Sequence, residues 1–139
     1  MDIQIAVLCD AATDSNGKLN ILGTFDTIYS TQLPVVHPQC SIAIRMTFNK
    51  VEEGSHRVRL NFVDEDGKSV WPAPIEMSVD VAVPDETIFL SRNFIVNIQK
   101  LTLEKEGLYS IDIAVNGRQE GSIPLLVKIP PKPPASPAH

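Results

Sequence analysis

Basic side chains, long apolar runs and cysteine are all scarce in this sequence of 139 residues, and each shortage removes a class of function. Lys and Arg number 12 against 17 Asp and Glu, a net charge of −5 at pH 7. The densest basic feature is Arg57 with Arg59, alongside Arg45, while acidic residues are spread along the whole chain. A nucleic-acid backbone would meet net repulsion and no basic strip, so nucleic acid is not an expected partner. No apolar stretch approaches the ~20 residues a membrane helix requires, because Asp10, Pro34, Arg45, Asp80 and Arg92 break the strongest ones. No membrane span is expected. The start, Met1-Asp2-Ile3-Gln4, has no basic segment ahead of its apolar run, unlike a secretory signal, and a cytoplasmic setting is the expectation.

The two cysteines, Cys9 and Cys40, lie inside separate strand-like stretches with no Cys-x-x-Cys spacing and no histidine beside them. They read as reduced, packed thiols rather than nucleophiles. The three histidines, His37, His56 and His139, share no i+2 or i+4 spacing with one another, so metal-hydrolase patterns are missing. Gly-x-Ser-x-Gly, phosphate-binding glycine loops and dinucleotide fingerprints are missing too. The sequence therefore nominates no catalytic residue, no metal ligand and no cofactor-binding residue. Catalysis would need a site assembled from distant loops.

What the chain does have is alternation. Ile42, Ile44, Met46 and Phe48 form one apolar set; Val58, Leu60 and Phe62 a second; Ile75, Met77, Val79, Val81 and Val83 a third; Tyr109, Ile111, Ile113 and Val115 a fourth. A period of two puts each set on one face of a strand. The residues between them, among them Arg45, Arg57, Arg59, Asn61, Glu76, Ser78, Asp80 and Asp112, then face water or a polar neighbour, as in a one-sided antiparallel sheet. Asn16-Gly17, Asp66-Gly67 and Asn116-Gly117 suit the positive φ of tight hairpins. A two-residue loop at Asp66-Gly67 sets Phe62 opposite Trp71. The same arithmetic at Asn116-Gly117 would turn Ile123 and Leu125 away from Ile111 and Ile113. A β-bulge near Gly121, pairing 111 with 123 and 109 with 125, or else an odd-length loop in place of the two-residue turn, restores a single apolar face.

Between Asp85 and Glu106, Phe94, Ile98 and Leu101 have helical spacing, but the β-branched Ile95, Val96 and Ile98 favour a strand with Phe94, Val96 and Ile98 on one face. Five of the 11 prolines fall after Ile129, which predicts a polyproline-II-like tail, expected to be a bare spacer or disordered end rather than a Pro-rich ligand for an aromatic groove. The expected organisation is one all-β domain over residues 1–129 and a Pro-rich tail over 130–139. About nine strands with frequent turns predict an antiparallel two-sheet β-sandwich, immunoglobulin-like with Greek-key connections. Tyr109, opening a strand after Glu106-Gly107-Leu108, is expected to bond its hydroxyl to upstream backbone as a corner device.

The opening CDAATDSNGKLNILGTFDTI (residues 9–28) and the closing GLYSIDIAVNGRQEGSIPLLV (residues 107–127) resemble an uncharacterised bacterial family of small domains of unknown function. In that family a Cys-Asp or similar start precedes Gly-Lys-x-Asn-Ile-x-Gly. The resemblance spans residues 2–129 and implies a β-sandwich. It brings no activity, substrate or site residue.

Several surface groups invite a functional reading. Asp64-Glu65-Asp66, Asp10 with Asp14 and Asn16, and Asp85-Glu86 would make a calcium cup only if their loops met at one end; turn geometry alone accounts for Asp and Asn there. Arg45, Arg57 and Arg59 facing Glu76 and Asp80 are expected to be cross-strand pairs on a wet face. Trp71 is expected to pack on Phe62 rather than anchor an interface. The function expected is non-catalytic: a binding module that uses a sheet edge or its end loops to hold a protein partner or a second copy. A calcium- or small-ligand-binding sandwich is the alternative, and a hydrolase with a dispersed site the third reading.

Overall fold

A computed structural model describes residues 1–131. Those described residues are all-β, and their nine strands form two sheets packed face to face. They are β1 (Asp2–Ser15), β2 (Lys18–Phe25), β3 (Thr27–Tyr29), β4 (Val35–Asn49), β5 (Gly54–Val63), β6 (Ile75–Val81), β7 (Phe89–Leu103), β8 (Gly107–Val115) and β9 (Arg118–Lys128). One sheet has the order β2-β1-β4-β7 and the other β3-β9-β8-β5-β6. A 3-10 turn, Lys50–Glu52, carries the chain from β4 across to β5. The tail expected over 130–139 lies outside the described residues from 132 onward.

The four alternating sets supply most of the dry layer. Ile42, Ile44, Met46, Phe48, Val58, Leu60, Phe62, Ile111 and Ile113 have no exposed surface, and Leu8, Leu103, Leu125 and Val127 join them from other strands. The third set is wetter: only Val81 and Val83 of it are buried, because β6 is an edge strand. The expectation of purely antiparallel sheets needs correction. After β2 the chain crosses at Asp26 to the other sheet and lays β3 parallel to β9, with Thr27 opposite Leu126 and Tyr29 opposite Lys128.

Two hairpins have the two-residue loops expected, with Ser15 paired to Lys18 and Val115 to Arg118. Asn16 and Asn116 take φ of 52° and 53°, which asparagine tolerates better than most residues. The bulge is present: Ala114 faces Gln119 but Ile113 faces Gly121, so Glu120 is the extra residue, and Ile111 meets Ile123 as required. The Asp66-Gly67 register differs from expectation. Val63 bridges Ser69 and the Val70 amide donates to the Phe62 carbonyl, so the loop has three residues. The Asp64 carboxylate causes this, accepting the amides of both Asp66 and Lys68 at 2.9 Å while Gly67 takes φ of 82°. The ring of Trp71 nonetheless rests 5.3 Å from that of Phe62.

β7 is a strand, and it explains its own helix-like spacing. Lys100 has φ of 54° opposite Pro38, a residue with no amide hydrogen for the ladder. The inward side steps by one residue there, from Phe94, Val96 and Ile98 to Leu101 and Leu103. β4 makes the same step between Cys40 and His37, so the register survives, with His37 opposite Leu101 and Cys40 opposite Ile98.

The outer face of the four-stranded sheet departs from the one-sided expectation. Ser41 and Ala43 point away from the core, yet they are 1% and 0% exposed. Arg45 lies opposite Ile5, and its guanidinium donates to the Gly17 carbonyl at 2.9 Å. A straight strand from Ile5 to Gly17 would run about 40 Å, several times an arginine's reach. The β1–β2 hairpin therefore doubles back across the outer face. The bend sits at Asp10 and Gly23, where Gly23 has φ of 68° and any Cβ would strike the Asp10 carboxylate.

Tyr109 is 3% exposed, and its hydroxyl donates to the Lys105 carbonyl at 2.6 Å, as expected of a corner. Tyr109→Phe leaves that carbonyl without its partner. It is expected to cost about 1 kcal/mol, read as a melting temperature about 3–5 °C lower. An unchanged melting curve would show that the corner bond does not hold the β7–β8 turn.

Candidate functional site

Each sheet ends in two strands paired on one side only: β2 and β7 in one, β3 and β6 in the other. Such edges offer free backbone donors and acceptors, and natural sheets usually blunt them. β3 has three residues. β6 has seven, carries Glu76 and Asp80, and is bracketed by Pro74 and Pro84. β2 is kinked at Gly23 and curled over the sheet with its hairpin. β7 is different. It runs 15 residues, about 50 Å of extended chain, and among the described residues it pairs with β4 alone. Between Arg92 and Lys100 it reads Asn93-Phe94-Ile95-Val96-Asn97-Ile98-Gln99, with no charge, glycine, proline or positive φ. Exposed Ile88 and Phe89 lead into it.

The hairpin tip touches this strand near its middle. The Asn93 side-chain amide donates to Asp14 at 2.8 Å and to the Gly17 carbonyl at 3.1 Å, and Arg45 donates to the Asn93 side-chain oxygen at 2.7 Å and to Gln4 at 3.1 Å. Asp14 also accepts the Gly17 amide at 2.9 Å. The bond from Asn93, then that from Gly17, hold the Asp14 carboxyl below its usual range. The result is a polar clasp fastening the hairpin to β4 and β7.

The residues singled out in the sequence are dispersed. Cys9 pairs with Ser41 across β1 and β4, so alternation turns Cys9 and Cys40 to opposite faces; both are buried and free. Burial, then the neighbouring Cys9 and Asp10, push the Cys40 thiol up to about 11, and burial raises Cys9 as well. Neither is a thiolate near neutral pH. His56 lies between the Glu52 carbonyl and the Asn116 amide, its ring 5.0 Å from Phe48. It borders a groove of about 490 Å³ with Glu52, Arg118 and Glu120. His37 lies 5.2 Å from Phe25 in a groove of about 470 Å³ shared with Asp10 and Tyr29. Among the described residues, His37 has no hydrogen bond to Asp10. His139 lies outside the described residues.

The acidic loops do not meet. Asp64 pairs with Lys105 at 3.4 Å beyond one end of β5, Asp85 with Lys50 at 3.0 Å before the other end, and Asp14 is in the clasp. No group of three or more potential metal ligands forms among the described residues. The arginine cluster also divides: Arg45 belongs to the four-stranded sheet and Arg57 and Arg59 to the other, where Arg59 approaches Glu76 at 3.8 Å. Arg92 reaches across the open side of the sandwich to the Asp80 carbonyl at 3.2 Å. What sequence reasoning missed is the clasp and the length of the unguarded strand. The uncharged run 93–99 was its one visible signal.

A family model described as "Family of unknown function (DUF6941)" matches residues 4–128. No curated protein matches the chain.

Opening the clasp uncovers the outer face. Arg45→Ala or Asn93→Ala is expected to raise the rate at which Cys9 reacts with an aromatic disulfide reagent at least tenfold, with Cys40 protected until global unfolding. Equal protection of both thiols in the variants would mean that the hairpin stays shut without the clasp. Because the Asp14 carboxyl is depressed in the folded chain, its stabilising effect is complete above the unfolded value and is lost as pH falls through the folded one. The Gly17 amide resonance is therefore expected to titrate with a midpoint below the ordinary value of a free aspartate. A midpoint at or above that value would contradict the clasp.

Proposed function

We propose that this chain, which belongs to that family of unknown function, is a non-catalytic interaction module that binds a protein strand along the free edge of β7. The observation carrying the reading is the contrast among the four edges. Three are short, charged or kinked, whereas β7 runs 15 residues and offers, between Arg92 and Lys100, an uncharged seven-residue run that pairs with β4 on one side only. A partner strand added there gains main-chain hydrogen bonds along its length, with side chains at alternate positions giving selectivity.

The groups with chemical potential support a non-catalytic reading, since their bonds are structural. Asp64 closes a turn, Asp14 closes the clasp, Lys50 binds Asp85 and the Val83 carbonyl, and both thiols are held protonated by burial. The finer fold reading, an immunoglobulin-like Greek key, draws support from β4 and β7 sharing one sheet while β5, β8 and β9 share the other, and from the Tyr109 corner. Two free thiols suit a cytoplasmic setting.

The test is a photo-reactive side chain placed at Ser91 or Gln99 on β7, and at Ser122 on β9 as a control, in cells that make the protein. Covalent adducts from the β7 positions and none from the control are expected. No adduct from β7 above the control would overturn the proposal.

A further inference from the structure

We propose that the strand occupying the β7 edge is β7 of a second copy of this chain, paired antiparallel about a two-fold axis at Ile95; this rests on the edge-binding reading above. The argument is self-complementarity. For two copies to keep their apolar layers on the same side, residues of equal facing must meet, which requires paired residue numbers to add to an even total. Centring on Ile95 sets Asn93 against Asn97, Phe94 against Val96, Ser91 against Gln99 and Arg92 against Ile98. The polar residues Asn93, Asn97, Ser91 and Gln99 then meet one another, Ile95 meets Ile95, Phe94 meets Val96, and the one unlike pair, Arg92 with Ile98, brings no like charges together. Asn-Phe-Ile-Val-Asn reads with the same polarity in both directions. Centring on Val96 instead would put Arg92 directly against Lys100, a like-charge pair.

The Ile95 register works whichever residues turn their backbone groups outward. If these are 93, 95 and 97, Asn93 and Ile95 make the hydrogen-bonded pairs; if they are 94 and 96, Phe94 and Val96 make them. Arg92 and Lys100 frame the run, and Lys100, with its positive φ, marks where a straight partner strand would lose contact. The product is one eight-stranded sheet running β2-β1-β4-β7 and then the same strands in reverse.

The experiment is light scattering across a concentration series on the full chain, together with thiol crosslinking by a short bis-maleimide. A species of twice 15.3 kDa is expected. Ile95→Cys should crosslink copy to copy. Ser91→Cys alone should not, because its partner is Gln99, and the S91C/Q99C double variant should. Ile95→Lys sets two ammonium groups face to face and is expected to weaken the dimer about 100-fold or more. Should that variant misfold, amide exchange of the unaltered chain decides: outward amides between residues 93 and 97 should lose protection on dilution. A monomer at every concentration, or a dimer whose crosslinks ignore this register, overturns the second copy. If the photo-reactive β7 positions then still capture other proteins, edge binding stands; if they capture nothing, both readings fall.

Discussion

The β4–β7 ladder is the constraint on which the rest of the molecule depends. It runs from Val35 opposite Leu103 to Asn49 opposite Phe89, the whole length of both strands. β4 supplies the floor of the dry layer through Ile42, Ile44, Met46 and Phe48, and its other side carries β1. Its outer face, at Ser41, Ala43 and Arg45, is the surface over which the hairpin folds. Its partner β7 contributes Phe94, Val96 and Ile98 inward, Asn93 to the clasp, and an unpaired flank. Dry layer, polar clasp and open edge are therefore three consequences of one pairing. The matched step at Lys100 and Pro38 keeps that pairing intact where a proline would otherwise spoil it.

Much of this was legible in the residues. Alternation at 42–48, 58–62 and 109–115 identified the buried faces, because a half-buried strand needs a period of two. The bulge could be located near Gly121 because Ile123 and Leu125 would otherwise have faced water. Tyr109 could be assigned because a buried hydroxyl needs a partner. The segments 9–28 and 107–127, which carry the family resemblance, both fall within residues 4–128 of the family match. The helix-like spacing of Phe94, Ile98 and Leu101 is also resolved: one positive-φ residue between two strand segments produces a three-residue gap that imitates a helical turn.

The rest was hidden for physical reasons. Periodicity says which side of a strand a residue faces but not what lies beyond that side, so the cover over Ser41 and Ala43 left no trace in β4. The turn at Asp66-Gly67 was misregistered by one residue because side-chain acceptance by Asp64 competes with the backbone preference of Asp-Gly. Arg45 was grouped with Arg57 and Arg59 because nearness in sequence does not reveal that the 3-10 turn at Lys50–Glu52 moves the chain to the other sheet. The acidic loops separate because Asp14, Asp64 and Asp85 each already bind an amide or ammonium of their own, at three different places on the fold.

The doubled-back hairpin has one more consequence, for how far such sheets can grow. In the four-stranded sheet, the flank away from β7 ends in β2, which curls out of the plane at Gly23 instead of continuing it. An incoming chain would find no straight template on that side. A strand added at β7 would use the one straight margin of this sheet, so a pair formed there could not lengthen into a fibre through the same sheet.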